Sequence, residues 1–217
     1  MNNLSKRVIT SLSLFLLLFF AIFNDYIWLA VSILVAIISF IEFKNLLNHI
    51  WHDKKKKYLI NILVICYLTL FVFILNNQPK NDILIILSVC ILSDIGGYVF
   101  GKLIGGRKLT KISPNKTISG AVGSFICSLI PIIYFFYYQS NYSMYYSFEF
   151  KYLFLICIIF LLISLVCQLG DLFISYFKRR SRLKDTGKIL PGHGGLLDRI
   201  DGIIFAVPFG ILLANMI

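Results

Sequence analysis

Apolar residues run through this chain in long blocks separated by short polar breaks. A helix that crosses a membrane needs about 20 apolar residues to cover about 30 Å of hydrocarbon. Seven blocks come near that length, at 8–23, 26–43, 58–75, 82–101, 117–138, 152–173 and 200–217. Residues 8–41 are apolar almost throughout, yet one helix of that length would reach about 51 Å, too long for a single crossing. Asn24 and Asp25 therefore predict the turn of a helical hairpin, with a shallow re-entrant hairpin as the alternative because the first block is short. The expected fold is all-α, a polytopic integral membrane protein with about seven transmembrane helices. The opening MNNLSKR and the apolar run behind it also resemble a signal peptide. No small-residue cleavage site follows and the apolar run resumes at Tyr26, so the segment is expected to stay in the fold.

Composition strengthens this picture. Of 217 residues, 59% are hydrophobic and 14% charged, against about 45–50% and about 25% in soluble domains. Collagenous, disordered and disulfide-scaffold classes are excluded, and nothing in the pattern points to nucleic acid. The five cysteines, Cys66, Cys90, Cys127, Cys157 and Cys167, lie inside apolar runs without metal-site or redox spacing, and serve as small apolar residues. The charge is lopsided, 21 basic against 10 acidic residues for a net +11. Sorted by alternate loops, every basic residue except Lys80 and Lys151 falls on one side. That asymmetry predicts a cytoplasmic location for the basic loops, with the amino terminus inside and the carboxyl terminus outside.

Two of these loops hold the unusual chemistry. In residues 93–120, Asp94 lies within a span, where a carboxylate needs a partner or a polar cavity. Gly97, Gly101 and Gly105 recur at four-residue spacing, the pattern of close helix packing. Ser113, Lys116 and Thr117 stand just before a helix, where hydroxyls, a cation and free N–H groups suit a phosphate. The spacing of a Walker phosphate loop is absent.

The second loop spans residues 168–202. Between Lys178 and Lys188 six cations, including Arg179 and Lys184, accompany one acid, Asp185. Gly192, His193, Gly194 and Gly195 then form a stretch with little side-chain bulk, open to backbone contact with a ligand. Asp198 and Asp201 flank Arg199 at three-residue spacing, which puts both carboxylates on one helix face. Two acids at a helix start are favourable in themselves. With Asp171 and Asp94 they also make a hard-cation donor set of the kind that holds Mg²⁺ against phosphates. The physical reading is a membrane transferase acting between a nucleotide and a lipid. It divides the chain into amino-terminal helices over 1–80 and a catalytic region over 81–217, with cytoplasmic catalytic loops.

The run Ser175-Tyr-Phe-Lys178-Arg179, then Lys184-Asp185-Thr-Gly187, then Leu190-Pro-Gly192-His193-Gly194-Gly195-Leu-Leu-Asp198-Arg199-Ile-Asp201 resembles the signature of the phosphatidate cytidylyltransferase family, the CDP-diglyceride synthases. Gly170-Asp171, the glycines after Asp94 and Ser113-Pro114-x-Lys116-Thr117 resemble it as well, so the likeness covers about residues 90–217. Departures are a short chain and Asn115 and Ser119 at positions that often carry other polar or charged residues. The resemblance implies that CTP and phosphatidic acid react to CDP-diacylglycerol and pyrophosphate, with Mg²⁺ and allowance for a second cation. It implies that Asp171, Asp198 and Asp201, with Asp94, hold the metal, and that Lys116, Lys178, Arg179 and Lys184 contact phosphates. His193 and its glycines would shape the loop. A homodimer, a bacterial-type cytoplasmic membrane and an active site facing the cytoplasm are also implied. The alternatives are a CTP-dependent lipid kinase of polyprenol or dolichol type and a transporter using Asp94.

Overall fold

The structure, a computed structural model, describes residues 3–110, 112–114, 116–136, 150–192 and 194–216. Among them the chain forms helices joined by turns, with two isolated antiparallel bridges and no strand. The helices are α1 (Asn3–Phe23), α2 (Asp25–Ile50), α3 (Lys54–Asn77), α4 (Lys80–Leu103), α5 (Ile118–Ser128), α6 (Phe150–Arg180), α7 (Leu197–Ile200) and α8 (Ile203–Ala214). Five stretches are long and apolar enough to cross a membrane: Asp25–Ile50, Lys54–Asn77, Lys80–Leu103, Ile118–Phe136 and Tyr152–Arg180. This is an all-α membrane protein.

The first expected span falls within α1, which is 21 residues long, whereas the last is divided. The block 200–217 holds the end of the four-residue α7 and the 12-residue α8. Helix α8 is about 18 Å long, short of the hydrocarbon thickness. The hairpin turn falls at Asn24, whose side chain caps α2 by accepting from the Tyr26 and Ile27 N–H groups at 3.0 and 3.2 Å.

The chain divides into two compact units. The first joins Met1–Lys80 to Ile174–Asp201, and the second joins Asn81–Phe173 to Gly202–Ile217. In the first, Trp28, Leu46, Leu47, Leu68 and Phe71 are buried with Ile174, Leu196 and Leu197. Lys80 closes one end of this unit. Its ammonium meets Asp25 at 2.6 Å, the Ile22 carbonyl at 2.8 Å and the Trp28 ring at 5.7 Å, while the Trp28 indole donates to the Leu75 carbonyl at 2.7 Å.

In the second unit, Ile86, Val89 and Cys90 of α4, Ile163 and Cys167 of α6, and Val207 and Ile211 of α8 are buried. A buried hydrogen bond of 2.8 Å joins Ser93 and Ser164. The glycine stripe is used inside the chain, where α4 lies against α5. A Cβ at Gly96 would come within 2.5 Å of the Gly123 carbonyl oxygen and 2.7 Å of Cys127 Cβ, and one at Gly120 within 2.7 Å of the Gly97 carbonyl. Gly96→Ala therefore overpacks a backbone-to-backbone contact, with an expected cost of about 1–3 kcal/mol. Thermal unfolding of the purified protein in detergent checks this, and an unchanged midpoint would contradict the contact.

Candidate functional site

In the first unit, the signature segment begins at the end of α6. The helix stops with Arg182 in the left-handed region, φ 58°, while the Leu183 N–H donates to the Lys178 carbonyl at 2.9 Å. This closing motif favours glycine. Arg182→Gly should therefore raise stability by about 1 kcal/mol, read as a higher unfolding midpoint.

Beyond it, the Leu190 N–H donates to the Gly194 carbonyl at 3.0 Å, so these two positions pair. Gly192 and Gly194 hold φ of 78° and 85°, which L side chains rarely adopt. His193 lies outside the described residues. The side chains of Asp185 and Asp198 flank Gly194, each with an atom 3.2 Å from where a Cβ would stand. Thr10 of α1 donates to the Pro191 carbonyl at 3.2 Å, so an amino-terminal helix touches this segment.

Asp198 is bound to its own chain on both oxygens. Oδ1 accepts from the Lys178 ammonium at 2.8 Å. Oδ2 accepts from the Thr186 N–H at 2.8 Å and the Gly195 N–H at 3.0 Å, with the Thr186 hydroxyl at 3.1 Å. The two charged side chains are only 14% and 8% exposed, so the pair is largely desolvated and removing one partner strands the other. Arg179, Lys184, Asp185 and Arg199 are exposed around it, and Asp201 is half-buried.

Behind this loop lies a residue that motif spacing did not mark. Glu42 of α2 is 1% exposed. Its carboxylate accepts from the Leu196 N–H at 3.0 Å, the Leu197 N–H at 2.9 Å and the Thr186 hydroxyl at 2.7 Å. A Cβ at Gly187 would approach Glu42 Oε1 to 2.5 Å, and one at Gly195 would collide with Thr186 Oγ1 and Glu42 Oε2. These two glycines thus make room for a carboxylate of the chain itself, and the N–H groups of 195–197 are spent on Asp198 and Glu42. Gly195→Ala has nowhere to place its methyl group and should destabilise the protein by about 2–4 kcal/mol. A midpoint within a degree of wild type would contradict that crowding. The signal that could have revealed Glu42 is the one that marked Asp94, a carboxylate inside an apolar span.

In the second unit, the loop between α4 and α5 folds back on itself. Leu109 N–H donates to the Lys116 carbonyl at 2.8 Å, and Ile118 N–H to the Arg107 carbonyl at 3.0 Å. Thr117 caps α5 by accepting from the Gly120 N–H at 3.1 Å, and the Ser119 hydroxyl donates to the Gly105 carbonyl. Ser113 precedes it, half-buried, with its N–H donating to Thr110 Oγ1 at 3.2 Å. Lys116 forms an ion pair with Asp171 of α6, each side chain 28% exposed. Asp94 of α4 interacts electrostatically with both. The structure thus groups Asp94, Lys116 and Asp171 in one unit, and Lys178, Asp185 and Asp198 in the other.

Among the described residues no group of three or more His, Cys, Asp or Glu side chains is arranged to hold a metal ion. Asp94 with Asp171 offers two carboxylates. That suits Mg²⁺, which takes one or two carboxylates and fills its remaining positions with water and phosphate oxygens.

A family model described as the cytidylyltransferase family matches residues 5–217. The match thus includes the amino-terminal helices, beyond the 90–217 covered by the motifs. The chain is 46% identical over 128 residues to a phosphatidate cytidylyltransferase of Staphylococcus haemolyticus, covering 58% of this chain and 46% of that protein. It is 41% identical over 150 residues to the protein of that name from Staphylococcus saprophyticus, covering 68% and 54%. Over 165 residues it is 41% identical to one from Rickettsia bellii, covering 72% and 68%. The chain therefore spans about half the length of the staphylococcal relatives it matches.

Proposed function

Since the chain belongs to the cytidylyltransferase family, we propose that it transfers the cytidylyl group of CTP to phosphatidic acid in a bacterial cytoplasmic membrane, with its polar loops facing the cytoplasm. The family match over residues 5–217 carries this reading. The names of the relatives, the five apolar stretches and the 27-residue signature Ser175–Asp201 support it.

In the reaction a phosphatidate oxygen attacks the α-phosphorus of CTP. The bond from that phosphorus to the bridging oxygen of the β-phosphate breaks, and pyrophosphate leaves. No general base is required, because the second ionisation of a phosphate monoester falls near pH 6, about one unit below neutrality. The difficulty is bringing two polyanions together, which positioned cations relieve. In the first unit the cations assigned to phosphate are Lys178, held by Asp198, with the exposed Arg179, Lys184 and Arg199. In the second unit the cation so assigned is Lys116, paired with Asp171. Mg²⁺ would be held by Asp171 and Asp94 of the second unit, while Asp198, whose oxygens are taken by Lys178, Thr186 and Gly195, would place the Lys178 ammonium rather than bind metal. The bound Mg²⁺ would offset the charge of the phosphate oxygens.

The test is the protein in lipid with Mg²⁺, phosphatidate and CTP labelled at the α-phosphate. Label entering lipid with release of pyrophosphate supports the transferase. Label left on soluble CDP would identify a lipid kinase, and no turnover would leave the transporter reading.

A further inference from the structure

Among the described residues Glu42 is the one fully buried charged side chain, and nothing in the reaction as proposed uses it. We propose that Glu42 is a positioning residue: its carboxylate sets the signature turn and, through Thr186 and Asp198, the place of the Lys178 ammonium. The inference rests on the cytidylyl-transfer reading above.

The connection is continuous. Glu42 takes the N–H groups of Leu196 and Leu197 at the start of α7 and the hydroxyl of Thr186. The backbone N–H of the same Thr186 donates to Asp198 Oδ2, and Asp198 Oδ1 holds Lys178. The tight fit of Gly187 and Gly195 against Glu42 leaves the loop one way to sit. A carboxylate is required here because it presents only acceptors to three donors. A Gln side chain must turn its NH₂ toward either the Leu196 or the Leu197 N–H, setting donor against donor. The loop then shifts with its size and packing unchanged, and a displacement of about 1 Å at a substrate-positioning cation costs about a hundredfold in rate.

The test compares full-length wild type, Glu42→Gln and Thr186→Val in lipid nanodiscs, measuring kcat and KM for CTP per folded molecule together with backbone hydrogen exchange. Glu42→Gln should lower kcat about 30- to 100-fold with KM for CTP changed less than about threefold. Exchange in 195–198 should rise at least about tenfold, with α3 and α4 unaffected. Thr186→Val should lower kcat while leaving protection at Leu196 and Leu197 in place. A Glu42→Gln kcat within threefold of wild type, or unchanged exchange in 195–198, overturns the proposal. So does a loss that follows only the folded fraction. If wild-type protein releases no pyrophosphate, the transfer reading fails, while the exchange data still decide whether Glu42 holds the turn.

Discussion

Asp198→Asn is expected to reduce pyrophosphate release by about a thousandfold or more per folded molecule. An Asn side chain can keep one carbonyl oxygen toward the N–H groups of Thr186 and Gly195, but its NH₂ then faces the Lys178 ammonium. The largely desolvated Lys178–Asp198 pair is broken and the cation leaves its place. Breaking such a pair also costs about 3–5 kcal/mol of stability, so the single variant confounds folding with function. Lys178→Gln/Asp198→Asn separates them. With both charges gone the stability penalty should largely disappear, and the unfolding midpoint should return toward wild type while turnover stays low. Recovery of turnover together with stability would show that the pair is only a brace.

The Lys116–Asp171 ion pair yields the second large effect. Lys116→Ala and Asp171→Ala should each lower turnover about a hundredfold or more, since each removes a charge assigned to phosphate or metal. The pair is partly exposed, so its own contribution to stability is about 0–1 kcal/mol. A double-mutant cycle distinguishes function from mutual support. Activity in Lys116→Ala/Asp171→Ala should be no higher than in either single variant. Substantial recovery in the double variant would mean that each residue served only to neutralise the other. Raising Mg²⁺ should partly rescue a variant in which the remaining carboxylates still bind metal, so Asp171→Asn should respond to Mg²⁺ more than Lys116→Ala.

Local chemistry made several features legible from sequence. Asn24 broke an apolar run too long for one crossing, and it caps α2. The four-residue glycine spacing marked helix packing for two of its three members: Gly97 and Gly101 face α5, with Cβ positions 2.6 Å from Ser124 Oγ and 3.0 Å from Thr117 Oγ1, while Gly105 lies past α4 at φ 65° with open space where its Cβ would stand. The signature was recognisable because its fixed residues lie within one short segment. Contacts between distant segments were not visible. Glu42 reads as an isolated acid among Ile41, Phe43 and other apolar residues, and its partners lie 144 to 155 positions later. Gly195 looked like backbone prepared for a ligand because sequence records the missing side chain and not that Thr186 and Glu42 fill the space. The final span is divided into α7 and α8 by a turn at Asp201 and Gly202, both of which keep right-handed helical dihedrals, a break that apolar content alone does not reveal. There, a Cβ on Gly202 would meet Cys167 Sγ at 2.5 Å.

The separation between Glu42 and its partners bears on how the protein is made. Helix α2 is synthesised long before Thr186, Leu196 and Leu197 exist. At about 5–20 residues per second the interval is roughly 7–30 s. Throughout it the nascent chain carries an unsatisfied carboxylate two turns from the end of an apolar helix, a costly group in hydrocarbon. Delivery of the signature segment removes that cost at the same moment as it completes the turn. Chains that stop before residue 186 lack all three donors that satisfy Glu42 in the complete fold.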